Sequence, residues 1–313
     1  LGLIVSHICA VLLVLSMFIL GLLGILLEYG LPSLEGVNTP FDYAKITDVE
    51  YTAEVLDSEG KGGNLLITER LTFDVHARSK KNLYWELWRD LPESKVDGLK
   101  VDYEVHSVKQ IMPDGSEVVY RESPRLYWDD NDFLPSNKKY GPGKWFHSEG
   151  PYDPDSRDYE CLLFYVDGLY REEVVFEIQY EMHNASFRYN DSSDMYITMF
   201  SDTDVKDLES FKAQILIKNS DMPPEGTYKF FTYGTTGVKF PVEESDTMNP
   251  GYHTFYMDLD KSDLRFDAKT LYLDFELYSY GEGKHSFTEY APDNNYTDHN
   301  VLSDLESAVE DYY

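Results

Sequence analysis

The sequence predicts an all-β fold: an Ig-like β-sandwich, either one large sandwich or two in tandem, behind an N-terminal transmembrane helix. Three observations lead to this prediction. The first 27 residues contain no Asp, Glu, Lys or Arg. Beyond them, apolar and polar residues alternate in most segments, and a period of two is typical of half-buried strands. Aromatic residues make up 15% of the chain, with 26 Tyr and 17 Phe, a composition that favours pleated strands over disorder.

The uncharged run over residues 1–27 is predicted to be an uncleaved membrane anchor. As an α-helix it is about 40 Å long, whereas the apolar core of a bilayer is about 30 Å thick. The apolar region of a signal peptide is usually shorter, about 7–15 residues, and ends at a small-residue cleavage site. The exit of this run, GILLEYGLP, has no such site. A buried core helix is disfavoured because the run is apolar on every face.

The charges next to the anchor predict its orientation. Residues 28–44 contain Glu28, Glu35 and Asp42 but no Lys or Arg. Since Lys and Arg mark the cytoplasmic side of a membrane helix, the bulk of the protein is predicted to be extracytoplasmic. We therefore expect a cell-membrane protein that is single-pass within this chain and contacts the membrane through residues 1–27.

A linker over residues 28–45, which contains Gly and Pro, leads into a first β-sandwich region at residues 46–190. PDGS at 113–116 predicts the turn of a β-hairpin, because Pro followed by Asp-Gly favours a tight turn. Residues 122–159 interrupt the alternation with a polar, Pro- and Gly-rich stretch. An insertion of this length is often functional, so a binding surface is expected there.

Short alternating segments resume after the insertion and continue to residue 285. A cut near residue 190 would make residues 191–285 a second β-sandwich or the second half of one. The tail, residues 286–313, ends in an amphipathic helix that Ser303 or Asp304 is expected to cap. Its apolar face consists of Leu302, Leu305, Val309 and Tyr312.

The chain is strongly acidic, with 57 Asp and Glu against 27 Lys and Arg and a formal net charge of −30. Such a charge repels nucleic acid and anionic lipid headgroups, so nucleic acid is excluded as a partner. A basic protein or divalent cations would be attracted. The simplest interpretation of the acidity is a solvated surface.

The two cysteines do not form a disulfide, because Cys9 lies in the anchor and Cys161 in an apolar strand. The extracytoplasmic part is therefore predicted to fold without an internal disulfide, which its size allows and which is common on bacterial surfaces. Cys161 is predicted to be an unreactive core thiol.

No catalytic signature is present in the sequence: it has no HExxH, GxSxG, P-loop or CxxC motif. The histidines are scattered singly, and strand histidines such as His76 and His106 are interpreted as structural or exposed. The sequence therefore predicts no catalytic, cofactor-binding or metal-ligating residue, and an enzyme is disfavoured.

Acidic clusters leave calcium open as a ligand, since carboxylate and carbonyl oxygens supply its six to eight ligands. In the cluster DPDSRDYE at 153–160, Arg157 occupies a ligand position and no glycine follows it. Each cluster is better explained as a solvated loop. The clusters are DDND at 129–132, DPDSRDYE at 153–160, DTDVKD at 202–207 and DLDKSD at 258–263.

The four tryptophans could stack on sugar rings, with pairs of carboxylates supplying hydrolysis. Trp85 and Trp88 fall on opposite faces of one predicted strand, so at most one faces a given ligand. Trp128 and Trp145 lie in the insertion and are the better candidates. The alternative, which we prefer, is that they pack the insertion against the sandwich.

Several segments resemble the domain-of-unknown-function 2207 family, the YciQ-like predicted membrane proteins of bacteria. ITE at 67–69 lies in one strand, RDLP at 89–92 ends a later one, and FKAQILIKNSDMP leads to Met222-Pro223. The resemblance covers roughly residues 46–225. It implies an N-terminal anchor, an extracytoplasmic β domain and further transmembrane helices downstream, and it implies no catalytic residue.

Three functions are compatible with these predictions. The first is a membrane-anchored extracytoplasmic β-sandwich without catalytic activity, which interacts with other envelope or surface proteins. The second is a carbohydrate- or cell-wall-binding module, with or without hydrolysis, that uses Trp128, Trp145 and nearby acids. The third is an adhesion segment stiffened by calcium.

Overall fold

The computed structural model describes most of the region after the linker. The described residues are 44–56, 63–76, 83–91, 101–123, 142–148, 160–202, 208–234, 240–264, 271–284 and 300–312. The predicted anchor over 1–27 and most of the insertion lie outside these ranges. Within them, no helix has the length and apolarity that a membrane crossing needs.

The described residues form strands almost throughout. Apart from a 3-10 turn at Gly281–Gly283, the one helix among them is α1, Leu302–Tyr312. The strands are β1 (Ala44–Leu56), β2 (Asn64–His76), β3 (Tyr84–Asp90), β4 (Asp102–Ile111), β5 (Glu117–Val119), β6 (Arg121–Glu122), β7 (Lys144–Ser148), β8 (Cys161–Leu169), β9 (Arg171–His183), β10 (Ser186–Arg188), β11 (Ser192–Asp202), β12 (Ser210–Lys218), β13 (Tyr228–Gly234), β14 (Glu243–Ser245), β15 (Tyr252–Asp260) and β16 (Leu271–Tyr280).

The strands form one large and two small sheets. The large sheet has eight strands in the order β14-β15-β12-β1-β2-β9-β4-β5. The small sheets have the orders β10-β11-β16-β13 and β3-β8-β7-β6. In the large sheet β12 pairs in parallel with β1, with Val49 opposite Phe211. This sheet therefore takes strands from both sides of the proposed cut near residue 190.

The core lies between one face of the large sheet and the two small sheets. Phe73 and Phe176 of the large sheet contact Phe164 of β8, and the rings of Phe164 and Phe176 stack with centroids 4.7 Å apart. On the other small sheet, the ring centroid of Phe200 in β11 lies 6.1 Å from that of Phe211 in β12. Alternation along each strand delivers these rings to one face, and burial of their apolar area supplies the main driving force for folding.

The all-β prediction is confirmed, and so are several of its local elements. Asp-Gly turns the chain between β4 and β5, where Gly115 has a φ of +81° and the Asp114 carboxylate accepts a hydrogen bond from the Ser116 amide at 2.9 Å. The partner strand β5 is short, because the chain leaves the large sheet after Val119 and enters a small sheet as β6.

The C-terminal helix is also confirmed, but its predicted cap is wrong. The amides of Val301 and Leu302 donate to the carboxylate of Asp191, at 3.0 and 3.3 Å. A carboxylate at a helix N-terminus satisfies amides that lack an intrahelical partner. The cap comes from a residue 110 positions earlier, so a local sequence pattern does not show it.

Candidate metal centre

Polar side chains from two adjacent strands meet on the face of the large sheet opposite the core. Strands β4 and β9 are antiparallel, with Asp102 opposite His183 and Glu104 opposite Glu181. Side chains directly opposite each other on neighbouring strands lie within about 5.5 Å at their Cβ atoms. Tyr103, which lies between Asp102 and Glu104 on β4, points the other way and is buried in the core.

Three of these side chains form a compact group of potential ligands. Glu104, Glu181 and His183 place one donor atom each within 4.8 Å of one another. Nε2 of His183 lies 3.2 Å from Oε1 of Glu181. Glu181 is buried, His183 is half-buried and Glu104 is exposed, so solvent reaches the group at Glu104.

Neighbouring residues hold this group in place. Asn64 of β2 donates from Nδ2 to Oε1 of Glu181 at 3.0 Å. On the other flank, Oδ2 of Asp102 lies 3.7 Å from Nδ1 of His183. Nε2 of His106 lies 3.8 Å from Oε2 of Glu181. The buried glutamate is therefore oriented by an amide and faces two imidazoles.

An irregularity in β4 accompanies the cluster. Asp102, Glu104 and His106 alternate with Tyr103 and Val105, and the pairing with β9 then shifts by one residue between Val105 and Ser107. A bulge of this kind leaves one residue unpaired and changes which face the following side chains occupy. Here it keeps His106 with the acidic residues while it returns Val108 to the core.

The chemistry of this group suits a cation rather than an organic substrate. Imidazole nitrogen and carboxylate oxygens together are ligands of divalent transition metals such as zinc. The same face carries no described Lys or Arg within the cluster, whereas Lys109 further along β4 pairs with Glu117 and Glu177 at 3.2 and 3.3 Å. The cluster therefore remains rich in negative charge.

A second polar network lies inside the core and is inaccessible to a ligand. Arg89 donates from Nε and Nη2 to the two carboxylate oxygens of Glu69, both at 2.8 Å. Tyr180 donates to the same carboxylate at 2.7 Å. Glu69 is 0% exposed and Arg89 is 1% exposed. Burial and the neighbouring Glu69 charge raise the pKa of Tyr180 and Tyr51 well above their ordinary range.

Arg89 connects all three sheets. Its own strand β3 belongs to a small sheet, Glu69 belongs to β2 of the large sheet, and Nη2 also donates to the carbonyl of Met199 in β11 of the other small sheet at 3.3 Å. The guanidinium lies 4.9 Å from the ring centre of Phe200. Glu69 and Arg89 belong to the ITE and RDLP segments that carry the family resemblance, so those segments meet in a structural ion pair.

A third acidic group lies on the sheet β10-β11-β16-β13. Asp194 of β11 and Glu276 of β16 are 7% and 8% exposed. Burial, followed by repulsion from Glu276, raises the pKa of Asp194 well above that of a solvated aspartate. The uncharged form of Asp194 is therefore the one that the fold favours.

We expect Asp194→Asn to stabilise the protein at neutral pH. Because the pKa of Asp194 is higher in the folded state, its contribution to stability is complete below the pKa of the unfolded chain and is lost as the pH rises through the folded value. Urea unfolding measured from pH 4 to pH 8 should show that the free energy of unfolding falls less for Asp194→Asn than for the wild type. Asp258→Asn, on an exposed carboxylate beside Lys212, should follow the wild-type curve. If the free energy of unfolding depended on pH in the same way for all three proteins, the raised pKa of Asp194 in the folded state would be contradicted.

The tryptophans proposed for sugar binding are only partly described. Trp145 lies in β7 and is 7% exposed, so most of its ring is packed into the protein. Trp88 is half-buried in β3. Trp128 and the side chain of Trp85 lie outside the described residues. The position of Trp145 agrees with the preferred interpretation, in which it packs the insertion against the sheets.

Of the acidic clusters proposed for calcium, the structure describes mainly the one at 258–263. DDND at 129–132 lies outside the described residues, as do most of the clusters at 153–160 and 202–207. In the cluster at 258–263, Asp258 pairs with Lys212 at 3.4 Å and Asp260 accepts from the amide of Ser262 at 2.6 Å. These carboxylates are used in an ion pair and a turn. Cys161 is buried, as predicted for a core thiol.

Sequence reasoning did not find the ligand group of Glu104, Glu181 and His183. The local signal is present, because DYEVH at 102–106 and EMH at 181–183 place acids and histidines on alternate positions of a strand. Nothing local shows that these two strands are neighbours, since they are about 80 residues apart and the pairing is set by the whole sheet.

These features define the protein as an all-β domain of three sheets with an acid–histidine cluster on its solvent-facing side. The chain belongs to the DUF2207 family: residues 45–258 match the family described as "Predicted membrane protein (DUF2207) N-terminal domain". No curated protein matches the chain.

The solved structures that match the chain are distant in sequence and superpose with low TM-scores. A presumed protease from Parabacteroides distasonis is 9% identical with a TM-score of 0.38, and the match covers 76% of this chain and 41% of the other. An M1 zinc metallopeptidase from Deinococcus radiodurans is 9% identical with a TM-score of 0.34, over 74% of this chain and 42% of the other. The chain thus spans about two-fifths of the length of these structures.

Proposed function

We propose that this chain is a membrane-anchored, extracytoplasmic β-sandwich protein that acts through non-catalytic interactions in the cell envelope or at the cell surface. The observation that carries the proposal is the uncharged run over residues 1–27, which a short linker joins to the β domain of a predicted membrane protein family. A run of this length is suited to a membrane span. The absence of Lys and Arg from residues 28–44 supports the extracytoplasmic side for the domain.

The sheet arrangement supports the sandwich part of the proposal. One face of the large sheet is covered by two smaller sheets, and aromatic rings from all three fill the space between them. Two layers that share one apolar core are the defining feature of a sandwich. Strand β1, the first described strand, lies inside the large sheet between β12 and β2.

An edge of the large sheet supports an interaction role. Strand β5 lies last in the sheet order, and all three of its residues are exposed. Val118 and Val119 are 42% and 64% exposed. An exposed sheet edge can accept a strand from a partner protein, with main-chain hydrogen bonds for affinity and side chains for specificity. The partners that this proposal favours are other envelope or surface proteins.

Membrane anchoring is tested by charge in the middle of the run. We expect the variant Val14→Arg/Phe18→Arg to leave the membrane fraction, because each Arg at the centre of a spanning helix costs about 2.5–3.5 kcal/mol of insertion free energy. The control Val14→Leu/Phe18→Leu should remain with the membranes after a high-pH carbonate wash, as should the wild type. A wild-type chain that the wash releases would refute the anchor.

A further inference from the structure

We propose that Glu104, Glu181 and His183 bind a divalent transition-metal ion of the zinc class on the solvent-facing side of the large sheet. This inference rests on the geometry of β4 and β9 and is independent of the proposed membrane function. The three donor atoms lie within 4.8 Å of one another, close enough for a single ion to contact all three after small side-chain movements.

The separation of two of the donors matches tetrahedral coordination. Zinc binds imidazole nitrogen and carboxylate oxygen at about 2.0–2.2 Å, so two ligands of a tetrahedral ion are about 3.4 Å apart. Nε2 of His183 and Oε1 of Glu181 are 3.2 Å apart. Glu104 approaches from the neighbouring strand, directly opposite Glu181. Its exposure leaves room for water as a further ligand.

The state of the His183 ring is a second, independent observation. Nε2 of His183 is buried and makes no hydrogen bond within the described part of the chain, although Oε1 of Glu181 is only 3.2 Å away. A buried ring nitrogen normally has a hydrogen-bond partner, and its absence calls for an explanation such as an ion. Oε1 of Glu181 already accepts a hydrogen bond from Asn64. The nitrogen thus lies beside this oxygen without donating a hydrogen bond to it, a position that suits a metal ligand.

The surroundings have the arrangement that metal-binding histidines usually show. Such a histidine generally presents its second nitrogen to a carboxylate, which fixes the tautomer and strengthens the ligand. Asp102 is the carboxylate beside this nitrogen, with Oδ2 3.7 Å from Nδ1 of His183, an ion-pair distance slightly longer than a hydrogen bond. Asn64 orients Glu181 through a direct hydrogen bond. His106, 3.8 Å from the second oxygen of Glu181, is close enough to act as a further ligand.

The ligand types select the class of ion. Calcium takes six to eight oxygen ligands, and magnesium retains most of its water in an octahedral shell. A site with an imidazole and two carboxylates favours zinc and its neighbours in the first transition series. The alternative is a protonated His183 that forms ion pairs with Glu181 and Asp102, and this arrangement would need no metal.

Titration calorimetry of the chelator-treated full chain in detergent micelles, with ZnCl2 as the probe, separates these alternatives. We expect one equivalent of Zn²⁺ to bind to the wild type and to be lost in His183→Gln and in Glu104→Gln. Since Glu104 is exposed, its replacement should leave the fold intact, which far-UV circular dichroism checks. Asp102→Asn, which changes only the carboxylate beside Nδ1 of His183, should weaken binding about 10–100-fold.

The matched control is His76→Gln. His76 is also a strand histidine beside a carboxylate, with Nε2 2.7 Å from Oδ2 of Asp74, but it lies outside the cluster. It should bind Zn²⁺ as the wild type does, and CaCl2 should produce no comparable binding. Zinc binding that is equal in the wild type, Glu104→Gln and His183→Gln, or no binding at all, would overturn the proposal and leave the protonated ion-pair arrangement.

Discussion

Arg89→Met is expected to lower the free energy of unfolding by about 3–5 kcal/mol, because it leaves the carboxylate of Glu69 buried without its cation. Glu69 is 0% exposed, and in the wild type both of its carboxylate oxygens accept hydrogen bonds from Arg89. The remaining hydrogen bond from Tyr180 cannot neutralise the charge. The loss should be larger than for a surface ion pair, which typically contributes about 0–1 kcal/mol.

Urea unfolding of the full chain, followed by far-UV circular dichroism, measures this effect. Arg70→Met is the matched control, since Arg70 is the exposed neighbour of Glu69 on the same strand. Surface changes of this kind usually alter stability by less than about 0.5 kcal/mol. A loss for Arg89→Met as small as that for Arg70→Met would show that the ion pair is not required for the fold.

The double variant Glu69→Leu/Arg89→Met distinguishes charge from packing. Removing both partners of a buried ion pair is often close to neutral, because the desolvation penalty disappears with the charges. Here Tyr180 would lose its acceptor, and an unsatisfied buried hydroxyl costs about 1–3 kcal/mol. The double variant should therefore recover part of the stability that Arg89→Met loses.

The local elements of this fold could be predicted from the sequence because local chemistry determines them. Alternating residues in β2 and β9 predict strands, and Asp114-Gly115 predicts the hairpin turn. The helix α1 was predicted from a period near 3.6. In each case the signal and the structure that it specifies lie within about a dozen residues.

Contacts between distant segments could not be predicted from the sequence. Glu69 and Arg89 both lie in segments that resemble the family, yet no local pattern indicates that the two side chains face each other across two sheets. The parallel pairing of β1 with β12 is of the same kind, since many registers satisfy the same alternation. Asp191 as the cap of α1 is a third example.

The candidate metal centre could be predicted from the sequence only in part. His183 on its own is a strand histidine like His76, and only the pairing of β4 with β9 brings Asp102 and Glu104 next to it. The ligand group can be read from the sequence only after the pairing is known. Alternation predicts which side chains share a face, and the sheet topology decides which faces are adjacent.

The central claim is tested most directly by finding on which side of the membrane the β domain lies, and cysteine labelling in intact cells measures this. Glu225→Cys places a thiol in an exposed loop between β12 and β13, while Cys161 is buried and Cys9 lies in the predicted anchor. We expect a membrane-impermeant maleimide to label Glu225→Cys equally in intact and lysed cells, and to leave the parent chain unlabelled in intact cells. Labelling of Glu225→Cys only after lysis would place the β domain in the cytoplasm and contradict the account.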